Sequence, residues 1–289
     1  MNKFAVIDIG SNSVRLMMIA NGKVLYKTIK TTRLGEGLAL SSRLCEPAMN
    51  RTLVALSAFM EQAKADGAEK TFAFATAAMR SAENGREFAK LVETKIGLEI
   101  EIISGEEEAQ IGILGALGKT DGSIIDIGGA STELIVQKDE KITYRKSLDI
   151  GVVRIRDLCD RSKLRVRELS LSTVKDYGSP TLYGKTYAIG GTATTIAALL
   201  LNLEKYDGNA VSNVVVTKEE VGNLADELFS KTVDEIAAHP CVDKLRADVL
   251  AGGVEWLYVI MEYLGVDKLY VSDGDNLEGY AISRGLLSV

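Results

Sequence analysis

An acidic residue closing an apolar run, followed at once by glycine and hydroxyl residues, is a pattern with chemical content, and this chain carries it twice. In "FAVIDIGSNSVRLMMI" (residues 4–19) Asp8 is followed by Gly10, Ser11, Asn12 and Ser13. In "SIIDIGGASTELIV" (123–136) Asp126 takes the place of Asp8, and Gly128, Gly129, Ala130 and Ser131 take the place of the turn. Glycines let backbone amides approach a phosphate without a Cβ in the way, and successive turn N–H groups form an anion-binding concavity. The hydroxyls of Ser11, Ser13, Ser131 and Thr132 add donors. An aspartate facing the same concavity would repel a phosphate unless a divalent cation or its water lies between them. Asp8 and Asp126 are therefore expected to hold magnesium, or manganese in its place, beside a phosphate. A single turn of this kind reads as an Asp-Gly hairpin with solvated polar residues. Two matched copies, with a third turn at Gly190-Gly191-Thr192, point to phosphate instead. None of the three fits the G-x-x-x-x-G-K-[ST] loop or the G-x-G-x-x-G fingerprint.

The elements that must position these turns follow from periodicity. The internal repeat predicts two similar halves, 1–119 and 120–289. In the first, 23–32 alternates as a strand, 47–67 has helical spacing with Pro47 near its start and Gly67 after its end, and 70–76 is a buried strand. A helical stretch with a break near Asn84-Gly85 leads to the strand "LEIEIIS" and to a helix opening at "SGEEEA", where Ser104 is the expected N-cap and three glutamates favour the helix dipole. In the second half a helix near "VVRIRDLCDR" and a polar, less regular stretch precede a strand–turn–helix unit over 185–203. Helical runs over 217–231 and 243–264, a strand "DKLYVSD" and a closing helix over 277–287 complete it, the last a candidate to pack back on the first domain. Strands alternate with helices, and each half begins with hairpin-connected strands, so mixed sheets in an α/β protein are predicted.

Composition sets bounds. Apolar residues at 46%, charged residues at 26% and only three prolines describe a chain folded throughout. No run approaches the length of a membrane-spanning helix and the N-terminus leads straight into a strand, so a cytoplasmic protein without membrane partners is expected. A net charge of −6 speaks against general nucleic-acid binding but leaves room for an anionic ligand in a locally positive site. Cys45, Cys159 and Cys241 have no metal-ligand or disulfide spacing. With His239 the only histidine, and placed just before a proline at an expected helix end, histidine-based catalysis has little to stand on.

The combination resembles the actin, sugar kinase and Hsp70 superfamily, and within it the exopolyphosphatase and guanosine pentaphosphate phosphohydrolase (Ppx/GppA) family in its short two-domain form. "VIDIGSNSVRL", "TTRLGEGL", "ATAAMRSAENGREF", "ISGEEEA", "IIDIGGASTEL", "IGVVRI", "AIGGTATTIAAL" and "RADVLAGG" carry the resemblance, in the family's order and over nearly the whole chain. It implies two ribonuclease-H-like, actin-like ATPase domains with an active-site cleft between them. It also implies magnesium-dependent hydrolysis of a terminal phosphoanhydride, that of inorganic polyphosphate or of guanosine pentaphosphate. The family's water-activating glutamate matches Glu108, with its neighbour Glu107 as fallback; ordinary first-turn helix charge is what the run would otherwise mean. Glu133 matches a metal-associated or structural acid beside Asp126, and Arg33 and Arg80 are the candidates for cationic contacts to the phosphate chain. Arg15, within the strand after the first turn, is read as structural.

Two departures stand out: Ala130 where the family has a third glycine, and Leu277 where it has an arginine before Glu278-Gly279. The longer members' His-Asp domain is not expected here, which favours polyphosphate as substrate. A non-catalytic sensor of guanosine penta- or tetraphosphate and an ATP-dependent kinase are the rival readings. Dimerisation, common in the family, is signalled by no feature of the sequence.

Overall fold

The apolar runs on either side of the first turn fold into a hairpin in which β1 (Lys3–Ile9) pairs antiparallel with β2 (Ser13–Ala20). The computed structural model describes residues 2–288, so Met1 and Val289, the outer bounds of the expected halves, lie outside the described residues. β3 (Lys23–Thr31) extends the hairpin on one side, while β4 (Lys70–Ala75) runs parallel to β1 and β5 (Glu101–Ile102) parallel to β4, giving the order β3-β2-β1-β4-β5. Around this sheet lie α1 (Glu46–Ala65), α2 (Ala77–Ser81), α3 (Gly85–Ile96) and α4 (Gly105–Ala116).

β1 and β2 are apolar almost without interruption because both of their faces are buried, and the period of two divides their side chains. Ala5, Ile7, Ile9, Val14, Leu16 and Met18 join Phe59 and Phe88 in one core. Val6, Met17 and Ile19 join Phe74 in another.

The second unit spans Ala116–Asp275. β6 (Gly122–Ile127), β7 (Thr132–Lys138) and β8 (Lys141–Leu148) form an antiparallel meander, followed by α5 (Val152–Cys159) and α6 (Lys163–Thr173). β9 (Lys185–Ile189) lies parallel to β6 and runs straight into α7 (Gly190–Leu200). After α8 (Gly208–Val211), β10 (Val215–Thr217), α9 (Lys218–Ser230), α10 (Val233–Ala237) and α11 (Ala247–Leu264), β11 (Lys268–Val271) joins β9 in parallel. The sheet order is β10-β11-β9-β6-β7-β8. α11 is buried nearly all round, with Trp256 fully enclosed at the centre of this unit's core. The chain then returns to the first unit with α12 (Asn276–Ser283).

Several elements differ from the pattern read in the sequence. Of "LEIEIIS" only Glu101–Ile102 pairs, as a short edge strand. The polar stretch after α5 is helical: Ser162 caps α6, which buries only Val166 and Ser170 and so shows no apolar stripe. The break at Asn84-Gly85 separates α2 from α3, and the Asn84 amide is spent holding the Leu44 backbone, accepting from its N–H at 2.8 Å and donating to its carbonyl at 3.0 Å. Leu277, the residue in the arginine's place, is 0% exposed and packs with Val6, Met17, Ile19 and Phe74, so this position works as core. Among the described residues no helix is long and apolar enough to cross a membrane.

α12 seals the second face of the first sheet by close approach. A Cβ on Gly279 would collide with the carbonyl of Ile111 on α4, and Tyr280 stacks on Phe74 with ring centroids 4.5 Å apart. Gly279→Ala is expected to destabilise the protein by about 1–3 kcal/mol through overpacking, read as a lower urea midpoint. An unchanged midpoint would mean that the helix is not held this tightly.

Candidate active site

In the first unit β1, β4 and β5 run parallel, so their C-terminal ends fall on one edge of the sheet, the edge where ligands bind in open α/β sheets. Asp8 stands one residue before the end of β1, Thr76 directly after β4, and Ser104 shortly after β5 at the start of α4. Glu108 follows one turn into α4 and is only 7% exposed. Its carboxylate accepts a hydrogen bond from Arg80 Nη1 at 2.7 Å, and the same nitrogen donates to the carbonyl of Ile103 at 3.2 Å. Burial pushes the Glu108 carboxyl above its ordinary value; the Arg80 charge and a Thr76 hydrogen bond oppose this, and the nearby Asp8 charge adds to it.

Its neighbour is used differently. Glu107 accepts from the Ser104 N–H at 2.8 Å while Ser104 Oγ accepts from the Glu107 N–H at 3.2 Å, a capping box that holds its carboxyl below the usual range. Geometry thus separates two adjacent glutamates into a capping residue and a buried, positioned carboxylate. It also pairs Arg80, expected as a contact to the phosphate chain, with Glu108: an arginine on α2 is the cation that the buried carboxylate needs.

The two glycine–hydroxyl turns close alike. Gly10 N–H donates to Ser13 O and Gly128 N–H to Ser131 O, each at 3.0 Å. The turn carbonyls are pinned from one side: Ser11 O accepts from Gly35 N–H and Asn12 O from Thr32 and Arg33 N–H, while Gly128 O accepts from Val152 and Gly129 O from Val153 and Arg154. A trans peptide points its N–H opposite to its C=O, and there is no cis bond among the described residues. The amides of Asn12, Ser13, Gly129 and Ala130 are therefore turned to the other side, where an anion can meet them. Ala130 has no positive φ, so the Cβ in place of the third glycine brings no left-handed strain. Arg33 does have one, φ 52°, in the loop that clamps the first turn.

The third turn opens α7, whose N-terminus has no side-chain cap. Gly190 has φ +82°, and a Cβ there would lie 2.9 Å from Asp126 Oδ1. A Cβ on Gly191 would collide with the guanidinium of Arg246, which thus lies directly over the turn. Thr192, the last residue of this turn, is buried.

The expected metal residues divide between the units. Asp8, in the first, accepts both Arg15 Nε, at 3.1 Å, and Arg15 Nη2 on the single oxygen Oδ2. Asp126 and Glu133, in the second, sit opposite each other in the β6–β7 register, and Glu133 accepts from Ser147 Oγ at 2.6 Å. Behind them Tyr177 donates to Thr132 O at 3.0 Å, and the chain's one tryptophan, Trp256, to Thr132 Oγ1 at 2.9 Å. Among the described residues no three His, Cys, Asp or Glu side chains converge as a metal cage. This donor set suits magnesium, which is commonly held by one or two carboxylates together with substrate phosphates and water, and not a zinc site.

Sequence reasoning left Thr76 and Arg246 without a role and named Arg15 as structural only. The Asp8–Arg15 pair had a signal, since the two residues are equidistant from the centre of a hairpin turn. Arg246 opens the quoted motif "RADVLAGG", but its place over Gly191 comes from the packing of distant segments and could not be read from it.

Comparison with known proteins gives the family and the fold. Exopolyphosphatase 2 of Mycobacterium tuberculosis is 29% identical over 315 residues, covering 98% of each chain. The guanosine-5'-triphosphate,3'-diphosphate pyrophosphatase of Vibrio vulnificus is 29% identical over 96% of this chain but only 58% of its own length. The crystal structure of the Aquifex aeolicus Ppx/GppA family member superposes with a TM-score of 0.78 at 29% identity, covering 99% of this chain and 98% of the other. The two mixed sheets flanked by helices are the architecture that the actin-like resemblance implies. The model of the Ppx/GppA phosphatase family matches residues 16–286, and the chain belongs to that family.

Proposed function

We propose that this protein is an exopolyphosphatase, which hydrolyses the terminal phosphoanhydride of inorganic polyphosphate with magnesium as cofactor, in the cytoplasm. The observation that carries this reading is Glu108, a buried carboxylate held by Arg80 on the sheet edge that also bears Asp8 and the first glycine–serine turn. Glu108 orients a water and takes its proton as the water oxygen attacks the terminal phosphorus. The anhydride P–O bond breaks, and the electron pair leaves on the shortened chain. Phosphoryl transfer asks for this kind of positioning and charge stabilisation more than for a strong base. Arg80 and Thr76 fix the carboxylate. The outward amides of both glycine turns, the turn at Gly190-Gly191-Thr192 and Arg33 bind phosphate oxygens. When bound, a divalent cation supplies charge neutralisation, with Asp8 and Asp126 each a candidate ligand and Glu133 a support to Asp126.

Polyphosphate ranks first because the match to a protein named exopolyphosphatase covers both chains end to end. Guanosine pentaphosphate, another terminal phosphoanhydride, is the second reading, favoured by the pyrophosphatase relative. Phosphate release with magnesium from polyphosphate, guanosine pentaphosphate and ATP, measured side by side, ranks them. Release from none, with binding retained, would replace the hydrolase by a sensor of guanosine phosphates.

Glu108→Gln is expected to keep the fold and substrate binding and to lose about 10²–10⁴-fold in turnover, the usual worth of a positioned base. Near-normal turnover in that variant would remove Glu108 from the mechanism. A base works deprotonated, so kcat/KM rises with pH through the Glu108 pKa. Because burial raises that pKa, the acid limb of the profile is expected above the ordinary 4.5. Arg80 holds the pKa down, so Arg80→Gln is expected to move the limb to higher pH; a limb that stays in place would show that the pair is not coupled to catalysis.

A further inference from the structure

α5 is pressed onto the back of the second turn. The amides of Val152, Val153 and Arg154 donate to the carbonyls of Gly128 and Gly129 at 3.0, 2.9 and 3.3 Å. The approach is so close that a Cβ on Gly151 would stand 2.6 Å from both Gly128 O and Gly129 O. Most of this helix's first turns serve the core: Val152, Val153 and Ile155 are buried in it. Arg154 is the exception.

The Arg154 side chain is only 19% exposed, and its one ion pair among the described residues is with Asp149 Oδ1 at 3.9 Å, a carboxylate that is itself 87% exposed. Arg154 Nε is buried with no hydrogen-bond partner among the described residues. An exposed partner at that distance contributes little, and a buried N–H left unpaired is unfavourable. Two other half-buried arginines of this unit meet carboxylates, Arg156 with Asp157 and Asp248 and Arg167 with Glu255 and Glu262, and Arg161 donates to the carbonyls of Leu228 and Lys231. Arg154 is an undercompensated cation whose own amide is anchored to an anion-binding turn. The first unit has a counterpart, since the clamp on its turn is also made in part by an arginine amide, that of Arg33.

We propose that Arg154 is a substrate-binding cation of the second turn, taking phosphate oxygens of the polyanion with the guanidinium that the protein leaves underpaired. This rests on the phosphoanhydride reading of the site. It assigns Arg154 to binding, not to the chemical step.

The test is calorimetric titration of tripolyphosphate with magnesium into full-length Glu108→Gln, alone and combined with Arg154→Gln or Arg154→Lys, with thermal unfolding recorded for each. Loss of a charge-assisted contact should weaken binding about ten- to a hundredfold in Arg154→Gln, with partial recovery in Arg154→Lys and an unchanged Tm. The effect should shrink with added salt, as a purely structural role would not require. Equal affinity in parent and variants, or a lower Tm with equal affinity, would overturn the proposal, and phosphate release by the wild type would then still stand for the hydrolase. Binding that depends on Arg154 without phosphate release from any substrate would uphold the proposal and overturn the hydrolase. No binding by the parent would overturn both. Should Arg154→Gln fail to fold, Arg154→Lys decides by the same titration, because it keeps the charge and loses the forked donor geometry.

Discussion

A carboxylate enclosed as far as Glu108 cannot stand without a compensating cation, and the first unit is organised around that requirement. Removing one partner of a buried ion pair is unfavourable by about 3–5 kcal/mol because the other charge remains buried. Arg80 meets the need only because α2 follows directly on β4 and α4 follows closely on β5, two strands that run parallel to β1. The parallel run brings three strand ends to one edge, and the pair joins two of the segments that leave them. The first turn shares that edge through β1, so the position of the candidate base relative to a phosphate depends on strand register. α12, sealing the opposite face with Leu277 and Tyr280, supports the same strands from behind.

The phosphate turns obey a second constraint, that of backbone accounting. A turn offers amides to an anion only if its carbonyls are satisfied elsewhere. In the first unit a loop after β3 satisfies them, and in the second the first turn of α5 does so. The solutions differ in structure and agree in outcome, which explains why the repeat is plain at the turns and faint between them. It also explains the tolerance for Ala130. What the turn needs is the direction of its peptide planes, and at this position a residue without positive φ supplies it.

How much of this was legible in the sequence depends on whether a feature is local. The hairpins, the Ser104 cap, the break at Asn84 and the passage from β9 into α7 depend on neighbouring residues and could be read. α6 could not, since it buries too little to show a stripe and its one local signal is the Ser162 cap. Within "SGEEEA" the sequence offered three carboxylates, with the family resemblance choosing Glu108. The physical difference between Glu107 and Glu108 appears only with the capping box and the burial of the next side chain. The pairing of Arg80 with Glu108 was illegible for the same reason, because the two lie 28 residues apart in the chain.

A net charge of −6 is an awkward starting point for binding a polyanion, and the arrangement of pairs indicates how the difficulty is met. Arg15 is largely answered by Asp8 and Arg80 by Glu108, so near the candidate base these four groups sum to about zero net charge and serve geometry more than attraction. Attraction must then come from groups that are not cancelled in this way. The outward amides of the turns contribute partial positive charge without any counter-ion of their own. Arg246 puts formal charge over Gly191, and the amide of Arg154 is bonded to Gly129 O, in the unit where Asp126 and Glu133 alone would repel phosphate. The two units divide the labour: one pairs its arginines with the carboxylates beside the candidate base, the other keeps Arg154 underpaired near a phosphate turn.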